Sequence, residues 1–305
     1  GLARALALDL ERAALLGQSS PASLPAPGSW ALVLAGLLAV GIGVLGFGWV
    51  RMHLYARQGS IFLGLGAMVV LISAFSAAYV YTLISGHAAL GIAFLTSAFI
   101  ALASVRFNVM ALSVVSVIIA STAPTMVLIR STATTTELFA YLFVVVLGTV
   151  WIVSITGWRN LTAVALAMFF LYSLPHLGRT IPETGTLLLF AYAFAIVFFI
   201  TNTLGILKIK DGDIKADAIT AAGNGLLLLA WINAGASSEW KSLIMVGWMI
   251  VFVVGAFAVF AITKRKEPFF VYAGVGIAML AAATAIDFEG AGLTIAYIIE
   301  SAIIP

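Results

Sequence analysis

The 305-residue sequence contains no cysteine. Disulfides, thiolate nucleophiles and thiolate metal sites are excluded together, and redox chemistry leaves no mark of the compartment. Charge is nearly as scarce: Lys, Arg, Asp and Glu make up 9% of the chain, against about 25% in an ordinary soluble domain. A soluble globular protein is therefore excluded. The only histidines are His53, His87 and His176; no two stand three or four residues apart, so neither a zinc nor a haem site is indicated. A P-loop string is also missing, which removes ATP-driven pumping by this chain. The net charge of +3 is scattered over short loops, so nucleic acid is not indicated as a partner. No cofactor is indicated either.

What the chain has in excess is apolar length. Hydrophobic residues make up 63% of it, and a bilayer span needs about 20 of them in a row. Candidate spans fall at about 30–50, 60–84, 88–105, 109–129, 138–156, 161–177, 185–207, 217–236, 242–263, 269–286 and 291–305. Unbroken runs of this length exclude a strand barrel, whose segments are about 10 residues long and alternate. The fold class is all-α: a polytopic transmembrane helix bundle of about eleven spans, built as successive helical hairpins. Residues 1–29 form a separate segment, with a possible amphipathic helix over Leu2–Leu16 and a linker containing Pro21, Pro25 and Pro27. The transmembrane domain runs from 30 to 305. Because the chain opens on Gly1 and closes in an apolar run at Pro305, it reads as part of a longer protein, truncated at its C-terminus.

Lys and Arg divide unequally between the two sides. Ten (Arg51, Arg57, Arg106, Arg159, Lys208, Lys210, Lys215, Lys264, Arg265 and Lys266) gather on one side, and Arg4, Arg12, Arg130, Arg179 and Lys241 on the other. The positive-inside rule makes the ten-charge side cytoplasmic, with loops 51–59, 208–215 and 264–268 inside and residues 1–29 outside. The expected location is a bacterial inner membrane. The basic turns recur every 52 to 54 residues, and Arg106-Phe107-Asn108 and Trp158-Arg159-Asn160 are each followed by a proline, Pro124 and Pro175. Such a period fits either an internal duplication of hairpins or any regular series of spans with short turns.

Several strings invite chemistry. Gly41-x-Gly43-x-x-Gly46 spells a dinucleotide fingerprint, but it lacks the preceding strand and the distal acid, and small residues inside a span, here Gly41, Gly43, Gly46 and Gly48, more readily let helices approach. Gly64/Gly66 and Gly274/Gly276 read the same way. Asp211-Gly212-Asp213 opens like a calcium loop without its later ligands. Glu300 is the one acid in the interior of an apolar run; it would couple or line a path for protons or cations, or sit protonated against a neighbouring helix. Asn202, Asn224 and Asn233 join it as a candidate intramembrane polar site, or serve as clamps between helices. On the opposite side His176, Glu183, Glu137, Asp287 and Glu289 form a candidate cluster for a divalent cation or a headgroup amine, or are solvated loop ends.

The order of motifs carries a resemblance. Arg57-Gln58-Gly59 opens a glycine-rich span ending at Tyr79 and Tyr81. The Arg106-Phe107-Asn108 turn, Ser121-Thr122-Ala123-Pro124, Tyr141, Gly157-Trp158-Arg159-Asn160-Leu161 and Asp287-Phe288 with Leu293-Thr294-Ile295-Ala296-Tyr297 and Glu300 follow. From about residue 30 onward this resembles a bacterial family of predicted multi-pass membrane proteins, domain of unknown function 2339. It departs near Asp287, where the family often carries proline. The resemblance implies a longer chain, with a cytoplasmic coiled-coil start and a first span that places residues 1–29 outside; it brings no activity and no catalytic residues.

Three function classes follow. An envelope-associated scaffold or lipid-interacting protein should be packed dry at mid-membrane, its partners the lipid bilayer and other membrane proteins. A secondary transporter or channel should show a polar cavity for a small solute, touching Glu300 or the asparagines. An enzyme acting on lipid-linked substrates should bring at least two ionisable side chains within hydrogen-bond reach on one membrane face.

Overall fold

A computed structural model of the chain describes residues 27–128, 134–177, 184–208, 215–288 and 290–303. All lie in eleven helices and short turns, with no strand among the described residues. The helices are α1 (Pro27–Met52), α2 (Ala56–Phe75), α3 (Gly86–Phe107), α4 (Met110–Leu128), α5 (Thr135–Thr156), α6 (Asn160–Leu177), α7 (Thr184–Lys208), α8 (Lys215–Gly235), α9 (Ser238–Thr263), α10 (Lys266–Asp287) and α11 (Gly290–Ile303). One π-helical turn, Ser76–Val80, prolongs α2. The expected amphipathic helix over Leu2–Leu16 and the Asp211-Gly212-Asp213 turn lie outside the described residues.

Nine of these helices are long and apolar enough to cross a bilayer. The two that fall short are α4, whose apolar stretch is Met110–Pro124, and α11, with 14 residues. In lipid the backbone has no water to bond, so each apolar run must close its own hydrogen bonds as a helix.

Turns at the basic end are tight and similar. Helices α3, α5 and α9 end on left-handed residues, Asn108 (φ 56°), Gly157 (φ 75°) and Lys264 (φ 58°), a geometry that releases the chain from the helix within one residue. Thr156 and Thr263 then play the same part: each hydroxyl bonds back to the carbonyl four residues earlier and accepts the N–H two residues on. These caps correct the motif pairing read from sequence. Arg106 lies before its cap residue Asn108, in the last turn of α3, whereas Arg159 follows the cap Gly157. The two arginines are not equivalent.

The hairpins α1–α2, α3–α4, α7–α8 and α9–α10 pack along their length, but α5 and α6 are splayed. Helix α6 lies instead along α8, and α5 along α7. Two main apolar cores result. The smaller joins Leu45, Met52, Leu63, Val70, Ile100 and Leu112 of α1–α4. The larger is rich in aromatics, with Phe169 stacked on Phe194 at 4.0 Å, Phe139 edge-on to Trp231 at 5.6 Å, and Phe252 and Tyr272 beyond.

In the α1–α2 seam the backbones touch. A Cβ on Gly48 would come within 2.8 Å of Leu63 N, and one on Gly66 within 2.7 Å of Leu45 N. With Gly41, Leu45, Gly48 and Met52 facing Gly59, Leu63, Gly66 and Val70, the spacing alternates three and four, the coiled-coil period. The packing expected of the glycines therefore holds for Gly41, Gly48, Gly66 and Gly276, but not for Gly43, Gly46, Gly64 and Gly274, which have open space where a Cβ would sit.

Candidate functional site

The polar chemistry gathers at the basic end, where α6, α7, α8 and α10 meet. Arg159 stands immediately before α6, and Asp217 lies in the first turn of α8. The guanidinium closes on one carboxylate oxygen: Nε donates to Asp217 Oδ1 at 2.9 Å and Nη2 at 2.7 Å. Nη2 also donates to the carbonyls of Thr201 (3.1 Å) and Asn202 (3.3 Å) in the last turns of α7. The Asp217 side chain is fully buried and that of Arg159 is 16% exposed. A charge pair withdrawn this far is tolerated only where hydrogen bonds accompany it, and here three elements supply them.

Gly205 makes the site possible. A Cβ at this position would fall on the Arg159 guanidinium, so glycine is what lets the arginine reach across α7. Asn202 completes the arrangement from the other side, its Nδ2 donating to the Asp217 carbonyl at 3.0 Å. Two buried acceptors, Asp217 Oδ2 and Asn202 Oδ1, have no hydrogen-bond partner among the described residues. Nearby, the hydroxyls of Thr203 and Tyr272 pair at 3.2 Å and link α7 to α10.

A constant register continues from the pair. Arg159–Asp217, Thr162–Thr220 (3.5 Å) and Ser173–Trp231 (2.9 Å) each join residues 58 apart, so α6 and α8 run parallel and in step. Midway, Leu166 packs over Gly223. Between the antiparallel α7 and α8, Asn224 Nδ2 donates to the Ala195 carbonyl at 3.0 Å. Asn202 and Asn224 are thus both buried and both bonded to a neighbouring backbone. Asn233 is exposed near the far end of α8, where Lys241 Nζ donates to its carbonyl at 2.7 Å. It does not join the other two. Glu300 belongs to α11, and its side chain lies outside the described residues.

A family model described as predicted membrane protein (DUF2339) matches residues 29–304. The chain belongs to that family. No curated protein and no solved structure matches it. The DUF2339 description extends to the membrane and names no reaction or solute, in keeping with a chain of many apolar helices.

Of the candidate cluster at the opposite end of this DUF2339 chain, Glu137, His176 and Asp287 are among the described residues. Glu137 is exposed and spent on a capping box, accepting the Thr134 N–H at 3.1 Å while Thr134 Oγ1 accepts that of Glu137. His176 stands edge-on to Phe139 at 5.5 Å. Asp287 is exposed at the end of α10, and Glu183 and Glu289 lie outside the described residues. No group of three His, Asp or Glu among the described residues could hold a metal ion.

Pro124 and Pro175 both lie inside helices, α4 and α6. A proline leaves carbonyls of the preceding turn short of donors, and next to the residue four before Pro124 the Ser121 carbonyl accepts the Tyr172 hydroxyl.

Two clefts flank α5. One of about 600 Å³ lies between α3, α4 and α5, lined by Phe94, Leu102, Val117, Val144 and Trp151 with Ser97, Ser116 and Thr149 at its base; Ser116 already donates to the Ser97 carbonyl. The other, of about 270 Å³, lies between α5 and α7 and ends on Arg159.

From sequence, Arg159 counts among the basic residues of one membrane side, and Glu300 is the one acid in the interior of an apolar run. Asp217 is instead wholly inside the bundle. The signal was the shared offset of polar residues on α6 and α8, which has no meaning until those helices are known to be neighbours.

Proposed function

We propose that the chain is an envelope-associated scaffold of the bacterial inner membrane, with a body that interacts with lipid. The observation that carries this reading is the use made of the intramembrane amides: Asn202 and Asn224 are buried and clamp α7 to α8. Amides spent in this way hold helices rather than hydrate a solute. The clefts beside α5 are apolar in lining, as suits lipid contact. In this reading the basic end faces the cytoplasm, following the positive-inside rule, and residues 1–29 lie outside.

The transporter alternative, with Glu300 as coupling carboxyl, would need water at the depth of Asn224. The enzyme alternative has its two ionisable groups in reach, Arg159 and Asp217, but Asp217 is fully buried and cannot meet a substrate without the pair opening.

Absence of native cysteine makes the test clean. Cysteines placed singly at Asn224, Lys266 and Asp287 are exposed to a membrane-impermeant thiol reagent in oriented vesicles. The expected result is no labelling at 224 from either side, labelling at 266 only from the cytoplasmic side, and labelling at 287 only from the other. Labelling at 224 would overturn the scaffold in favour of transport, and reversed labelling at 266 and 287 would overturn the orientation.

A further inference from the structure

We infer that the cleft between α5 and α7 is a binding site for the phosphate of an anionic phospholipid, received by Arg159 from the leaflet at the basic end. The inference rests on the lipid-interacting reading above and names its site and ligand class. Arg159 has five N–H donors in a fixed fork. Nε and Nη2 are committed to Asp217, Thr201 and Asn202. Nη1 makes no hydrogen bond among the described residues, although the side chain keeps 16% of its surface exposed. Arg159 lines a cleft whose other walls include Val150, Ser154, Gly157, Ile200, Thr201 and Leu204. One edge of the fork is therefore anchored by a carboxylate, and the other is presented, already oriented, in an apolar cleft. A phosphate oxygen is the acceptor such an edge recognises best.

Depth and surroundings select a lipid over a soluble ester. Arg159 follows the α5 cap by two residues, which puts it where the apolar run ends and headgroups begin. On α7, Leu189, Ile196, Ile200 and Leu204 are all exposed at spacings of seven and four, a stripe leading away from the cleft along which an acyl chain can lie. A cleft of about 270 Å³ holds a headgroup and leaves the tails in the bilayer. This end also carries ten of the fifteen Lys and Arg residues, a field that draws anionic headgroups. Asp217 cancels much of the guanidinium charge, so recognition depends on the free N–H edge and the fit of the cleft more than on net charge.

The test uses the intact purified chain in detergent and native mass spectrometry with three probes. These are phosphatidylglycerol, diacylglycerol with the same tails, and glycerol 3-phosphate. Phosphatidylglycerol should bind about tenfold or more tighter than diacylglycerol, the worth of one charge-assisted hydrogen bond, and glycerol 3-phosphate should fail to compete. Ser154→Phe fills the cleft from the exposed face of α5 without touching the Arg159–Asp217 pair. It should abolish the preference for phosphatidylglycerol while leaving the thermal midpoint in place. Equal binding of the two lipids, competition by glycerol 3-phosphate, or an unchanged preference in Ser154→Phe would each overturn the proposal. None of these outcomes bears on thiol access at position 224, so failure of this site and failure of the scaffold reading are separable.

Discussion

The α1–α2 hairpin and the α6–α8 group solve one problem in two ways. Lipid tails are as apolar as leucine, so burial alone does not draw helices together in a membrane. The first region answers with backbone contact: Gly41, Gly48, Gly59 and Gly66 bring α1 against α2 until a methyl group would not fit, and no ion pair is found there among the described residues. The second packs its helices around large aromatics and ties them with directed bonds, from the Arg159–Asp217 pair at one end to Ser173–Trp231 toward the other. Close packing tolerates no added volume, whereas a polar tie tolerates no lost partner. Added volume should therefore be the costly change in the first, and loss of a polar partner the costly change in the second.

The largest effect is expected from Asp217→Leu, which leaves Arg159 withdrawn without its counterion and should cost about 3–5 kcal/mol. Unfolding midpoints in detergent would measure it, and the double variant Arg159→Met/Asp217→Leu should recover most of the loss. If the single variant is harmless, the polar tie is not what holds α6, α7 and α8. Next comes Gly66→Val in the glycine seam, where added methyls meet Leu45 N and the Gly41 carbonyl; overpacking of this kind costs about 1–3 kcal/mol. Asn224→Ala removes one clamp and should cost about 0.6 kcal/mol, the usual worth of an interhelical hydrogen bond in lipid. Smallest is Gly43→Ala, next to open space, where a change within about 0.5 kcal/mol is expected. A loss at Gly43 equal to that at Gly66 would erase the distinction between seam and lipid-facing glycines.

Legibility in the sequence followed the range of the interaction. Each of the eleven helices overlaps a span read from apolar runs, because helix formation in a bilayer is decided within about 20 consecutive residues. Asn108 and Gly157 were visible as turn residues for the same local reason. Which glycines touch a neighbour was not visible: Gly43 and Gly48 look alike in the string and differ only in the direction they face once α2 is in place. Arg159 and Asp217 are visible in the sequence only as charges at span boundaries. Their pairing crosses 58 residues and an intervening helix, and it needs Gly205, which from sequence is one small residue among 28 glycines.

Local composition therefore sets the class, the placement of the described helices, and a basic end distinct from the other, since insertion into lipid responds to local apolarity and to charge at the span ends. The packing of the bundle set α5 and α6 apart and laid α6 beside α8. It also buried Asp217 and left Arg159 lining a cleft. Those features depend on which helices become neighbours, and without a hydrophobic pull between them that choice is made by side-chain fit and hydrogen bonding across the seams.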